Sequence, residues 1–149
     1  MTTQQIKLVQ DSFRQIAPIA ETAAQLFYAR LFELDPDLEL LFTGNLSEQG
    51  RKLMQMLGLA VNSLDRMEQL LPLVRSLGAR HVTYGVRDKD YGTVGEALLW
   101  TLRKGLGDAF TPDVEAAWSN VYATLASAMQ SGAETQAGAT PALVYDVTQ

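Results

Sequence analysis

The 149-residue chain contains no cysteine. That excludes disulfides, thiolate catalysis, and cysteine-held zinc or iron–sulfur centres, and it leaves the compartment open. Histidine occurs once, as His81, so a zinc site built on two or more histidines is excluded by count. Positive charge is also short. Twelve Lys and Arg face 17 Asp and Glu, for a net charge of −5. Nothing in that balance favours nucleic acid or an anionic membrane surface as a partner. No apolar run approaches the roughly 20 residues that span a bilayer. Residues 1–7 lack a basic stretch leading into an apolar one, so no signal peptide is expected. The expectation is a soluble, cytoplasmic protein. There is no G-x-S-x-G elbow and no G-x-x-x-x-G-K-[ST] phosphate loop. Strand signals are weak throughout.

What the chain does have is apolar content and helical periodicity. Hydrophobic residues make up 47% and charged residues 19%, a globular balance rather than a disordered one. About 150 residues suit one domain that buries roughly two-thirds of its unfolded surface, enough for a core and a cofactor. Residues 4–17 read as a first helix. Pro18 interrupts it and opens a second, 19–34, with Ala24, Phe27, Tyr28, Leu31 and Phe32 on one side. Asp35-Pro36 breaks the chain before a turn-like piece that leads to Phe42. A helix then runs to about Leu64, with Ser47 as a candidate N-cap. Residues 65–71 read as a connection, and Pro72 as the start of a helix ending near His81, stopped by a left-handed turn at Gly85. Residues 88–106 form the next helix. Thr111-Pro112 caps and opens the last, which is expected to end near Gln130. The outcome is an all-α domain, 1–130, of six to seven helices, with 131–149 as a mobile tail.

The informative residues are polar ones on apolar faces. Leu70, Val74, Leu77 and His81 are spaced four, three and four apart, so His81 lies in line with a buried stripe. An imidazole there must hydrogen-bond or bind something. On spacing alone, a satisfied core histidine and a ligand both fit. The stripe Leu53, Leu57, Ala60 or Val61, and Leu64, carried back by four, lands on Gln49. Tyr28 stands among Phe27, Leu31 and Phe32, as a core-edge tyrosine would. Acidic residues fall mostly on polar faces or caps, and no carboxylate pair stands out.

Taken together, Tyr28, Pro36, Phe42, Gln49, Leu53 and His81 resemble a bacterial single-domain globin of the Vitreoscilla haemoglobin and flavohaemoglobin type. The segments Leu26-Phe27-Tyr28, Arg80-His81 followed by Tyr84-Gly85-Val86, Tyr91-Gly92-Thr93-Val94-Gly95, and Thr111-Pro112 with Trp118 and Tyr122 carry the likeness. The stretch Gln49-Gly50-Arg51-Lys52-Leu53-Met54 is similar to single-domain globins of thermophilic and acid-tolerant bacteria. The likeness covers residues 5–130.

The resemblance implies a globin fold around one haem pocket. Haem b would be held between the third-from-last helix and the Gln49 helix. His81 would be the iron ligand, with the Leu77 carbonyl one turn back as acceptor for its second nitrogen. Phe42 would wedge against the porphyrin, and Leu53, Val86, Tyr91 and Val94 would complete the pocket. Lys52, Arg80 or Arg51 would reach a propionate. Tyr28 and Gln49 would face the gas ligand, oxygen, NO or CO, and donate hydrogen bonds to it. No residue is singled out as catalytic. Proteins of this type carry a last-helix carboxylate that bonds a tyrosine, here Tyr91. Ungapped counting puts Ala133 at that place and Glu134 next to it, which departs from the pattern and from peroxidase-like activation.

With one histidine, coordination of iron by two histidines of the same 149 residues is impossible. The resemblance makes a reversible oxygen carrier, as monomer or homodimer, the first expectation. Nitric oxide dioxygenation would need a reductase in trans, since no flavin or nicotinamide segment is present. A haem-based gas sensor acting through a partner and a haem-free interaction domain are the alternatives.

Overall fold

The computed structural model describes residues 1–42, 44–83 and 85–137, excepting the side chains of 83 and 134–137. Six α-helices account for nearly all of it, and there is no strand among the described residues: α1 (Thr3–Ile16), α2 (Ala20–Leu34), α3 (Leu46–Asn62), α4 (Met67–Thr83), α5 (Asp88–Leu106) and α6 (Pro112–Ala137). Short 3-10 turns link them, the longest being Pro36–Leu41 between α2 and α3.

Most boundaries follow the local chemistry. Thr2 and Gln5 form a reciprocal capping box on α1. Pro18 lies in the first turn of the 3-10 piece Ala17–Ile19, where its missing N–H costs nothing. Asp35 accepts from the Asp37 N–H to start the Pro36–Leu41 turn. Gly85, at φ 92°, supplies the left-handed corner after α4. Thr111 caps α6, its hydroxyl accepting from the Val114 N–H at 3.3 Å.

Three expected boundaries are corrected. The α3 cap is Asn45, whose side chain accepts from the Glu48 N–H at 3.1 Å, rather than Ser47. Helix α4 starts at Met67, not at Pro72, and takes the proline inside. Proline cannot donate to the carbonyl four residues back, so one bond is given up near the helix start. Helix α6 continues past Gln130 to Ala137. The rest of the expected tail, 138–149, lies outside the described residues.

Two apolar clusters fill the interior. One joins α1, α3, α4, α5 and α6 through Val9, Ile16, Val61, Leu64, Leu70, Val74, Leu102, Trp118 and Val121. Within it the Trp118 indole, 1% exposed, donates to the Ser12 hydroxyl at 2.8 Å, and Ser12 donates on to the Leu8 carbonyl. The second cluster is aromatic and lies between α2, α5 and the Pro36–Leu41 turn, with Phe27, Tyr28, Leu31, Leu38 and Ala97 buried. On the outer side of α5, Trp100 lies beneath two cations, Arg30 at 5.4 Å and Lys104 at 5.5 Å from its ring centre.

Helix packing is uneven. Among the described residues, α6 is the helix that runs close beside α4, and neither α3 nor α5 does so over any length. The stripes on α3 and α4 show the same asymmetry. Val61, Leu64, Leu70 and Val74 are buried, whereas Leu53, Leu57, Leu77 and His81 are only partly so.

Candidate functional site

His81 sits near the end of α4 and is partly buried. Its Nδ1 lies 2.8 Å from the Leu77 carbonyl. A carbonyl can only accept, so Nδ1 carries the hydrogen and Nε2 holds the lone pair. Burial pushes the His81 pKa down. The Leu77 bond opposes that shift and neighbouring Arg80 adds to it. The imidazole is thus oriented and neutral, the form in which histidine binds a metal.

The corner after His81 is firmly tied. The Val86 N–H donates to the His81 carbonyl at 3.0 Å and the Gly85 N–H to that of Val82 at 3.1 Å. Asp90, 2% exposed, accepts from the Arg87 N–H at 2.8 Å and caps α5. Arg87 also reaches Asp35 at 4.0 Å. A Cβ on Gly85 would stand 3.3 Å from Leu41, so this corner closes on the residue before Phe42.

Tyr28, Phe42, Leu53 and Val94 come together in the aromatic cluster. The Tyr28 ring stacks on Phe32 (6.0 Å, 22°) and meets Phe42 edge-on (5.3 Å, 67°). Burial raises its pKa to about 12, so the phenol keeps its proton as a donor at neutral pH. Tyr28 also borders a groove of about 640 Å³ between α2 and α3, whose walls include Ala20, Ala24, Gly50 and Met54 but not His81. Helices α2 and α3 touch at Ala24 and Gly50, where an added Cβ would fall 2.9 Å from the alanine methyl.

Other expected residues are placed differently. Gln49 is partly buried on the first turn of α3, and its amide nitrogen lies over Gly44, 3.0 Å from where a Cβ would be. Lys52 and Arg51 are exposed on α3, with Arg51 on the groove side. Arg80 is partly buried, and its Nε is shielded from solvent with no hydrogen-bond partner. Val86 is partly buried at the corner. Tyr91 is buried at the start of α5, and its pKa is raised by burial and by Asp88 and Asp90. The contact that α6 makes there is a phenol: the Tyr122 hydroxyl donates to the Tyr91 carbonyl at 2.6 Å. Ala133 brings no carboxylate, and the Glu134 side chain lies outside the described residues.

Sequence reasoning named Tyr122 only as part of the likeness, without its contact to Tyr91, and missed the glycines at helix crossings. An isolated glycine inside a helix costs about 1 kcal/mol relative to alanine, so Gly50, Gly78 and Gly132 were signals of close packing.

Six helices, with the single histidine oriented near the end of α4 and an aromatic cluster between α2 and α5, are the arrangement of a globin fold. The chain matches the globin family over residues 25–129 and belongs to it. It is 31% identical over 140 residues to a neuroglobin of Chaenocephalus aceratus, covering 85% of this chain and 88% of that one. A Danio rerio neuroglobin is 31% identical over 139 residues, covering 84% and 87%. Among solved structures, a hexacoordinated haem protein from an anhydrobiotic tardigrade superposes with a TM-score of 0.81 at 19% identity, covering 90% and 96%. Membership of the globin family implies a haem cofactor and the binding of a diatomic gas.

The residues present fit that group. An imidazole with Nδ1 committed to a backbone carbonyl suits an iron ligand. The part-exposed Leu53, Leu57, Leu77 and Val94 suit an apolar plane. The orphaned Arg80 Nε suits an anionic edge.

Proposed function

We propose that this chain holds haem b through Nε2 of His81 and binds oxygen, NO or CO reversibly, as a globin of the bacterial single-domain type. The observation that carries it is the His81–Leu77 bond near the end of α4. Haem would supply an iron with one position for a diatomic ligand.

The chain's own residues do the rest. Leu77 fixes the His81 tautomer and ring direction. Phe42, Leu53, Val86 and Val94 exclude water from the pocket, and Tyr91 closes its floor. The buried phenol of Tyr28 is the principal donor toward the gas, because burial keeps it protonated. Gln49 is the second donor, once its amide turns from Gly44. Arg80, whose Nε has no partner, would meet a propionate; Lys52 or Arg51, both exposed, would reach another. A donor pair in a low-dielectric pocket favours tight holding and slow release. That suits scavenging in the cytoplasm, or nitric oxide dioxygenation with electrons from a reductase in trans, in a monomer or homodimer.

The test is the absorption spectrum of the purified chain, oxidised, reduced, and under oxygen or carbon monoxide. A Soret band that is lost in His81→Ala and moves on adding carbon monoxide is expected. A colourless chain after expression with ample haem would sink the reading.

A further inference from the structure

Two glycines let the backbones of α4 and α6 touch. A Cβ on Gly78 would fall 1.9 Å from the Met129 carbonyl oxygen, and one on Gly132 would fall 1.9 Å from that of Arg75. The pairing is reciprocal. Arg75 and Gly78 are three residues apart on α4, and Met129 and Gly132 are three apart on α6. Both glycines are buried. Real Cβ atoms essentially never come within 3.0 Å of such neighbours, and here the neighbour is backbone rather than a flexible side chain. Alanine at either position therefore forces the helices apart by about 1 Å.

That separation matters because, among the described residues, α6 is the helix that runs close beside α4. Gly78 is one turn before His81, on the same turn as Leu77, the residue that orients the imidazole. Leu70 and Val74 anchor the first half of α4 in the core, whereas Leu77 and His81 beyond them are only partly buried, so the end of α4 is the part with room to shift. A displacement at the crossing is passed to His81 rather than absorbed.

We propose that Gly78 and Gly132 are positioning residues for His81: the backbone crossing they permit sets how far the imidazole stands into the pocket. Residues of α6 beyond Gln130 thereby act on the proximal ligand without touching it. This rests on the assignment of His81 as the iron ligand.

Resonance Raman spectra of the ferrous, ligand-free holoprotein read the iron–histidine stretch directly. Gly78→Ala and Gly132→Ala are expected to shift that band relative to the unaltered chain and to change carbon monoxide association severalfold, with helicity retained. Gly92→Ala is the control, because a Cβ there meets nothing within 4 Å, and its band should not move. Should Gly78→Ala fail to fold, Gly132→Ala decides. An unmoved band in folded, haem-loaded Gly132→Ala overturns the proposal. So does failure of both variants to fold while Gly92→Ala folds, which would make the crossing structural only. If the unaltered chain takes up no haem, it is the haem assignment that fails, before any variant is compared.

Discussion

Under the proposed function, Tyr28 is the residue on which ligand behaviour turns. Its ring is held by Phe27, Phe32 and Phe42 and is 7% exposed. A phenol with an ordinary pKa near 10.0 and a folded value of about 12 holds its proton more tightly in the native state. Its contribution to stability is full below about pH 10 and is lost as pH rises through 12. Denaturant midpoints should therefore fall between about pH 10 and pH 12 more steeply in the unaltered chain than in Tyr28→Phe. The same substitution should speed oxygen release from the ferrous holoprotein by about tenfold or more, the worth of one charge-assisted hydrogen bond. Gln49→Leu should have the smaller effect, because its amide rests over Gly44. Stopped-flow displacement of oxygen measures both. Equal rates in Tyr28→Phe and the unaltered chain would remove Tyr28 from the ligand's surroundings.

At the scale of elements, legibility in the sequence depended on whether a feature was local. The turn at Gly85 and the Thr111 cap could be read because a few adjacent residues decide them. The Leu77 acceptor was also legible, but through the family likeness and the four-residue spacing of a helical turn. Pro72 misled because a first-turn proline and one inside the second turn look alike in sequence, and the burial of Leu70 favours extending α4 backwards. The small residues after Gln130 read as tail, yet Gly132 is small because the Arg75 carbonyl touches it, a contact between residues far apart in the chain. The direction of the Gln49 amide was not legible either, since it depends on the path of the segment around Gly44. The α3 start gives a prediction at this scale. Asn45→Ala should cost about 1 kcal/mol by removing the side-chain acceptor for the Glu48 N–H, whereas Ser47→Ala should cost less. Urea titration of the two variants checks the order, and a larger loss in Ser47→Ala would put the cap back at Ser47.

At the scale of the whole molecule, α1 and α6 are joined by one buried hydrogen bond between residues 106 positions apart, Trp118 to Ser12. Ser12→Ala leaves the indole N–H buried without an acceptor. It should cost about 1–3 kcal/mol and lower Tm by several degrees, measurable by calorimetry. The single histidine also acts globally: with His81 engaged, a sixth iron ligand from the same 149 residues must be something other than histidine. The tardigrade protein, described as hexacoordinated, shares the fold. The two tryptophans have a consequence of their own. Trp118 is sealed in the core, while Trp100 is part-exposed beneath Arg30 and Lys104. Iodide, drawn to those cations, should quench the fluorescence of Trp100 and spare that of Trp118. The chain therefore carries two separable optical reporters, one for its surface on α5 and one for the integrity of the α1–α6 core.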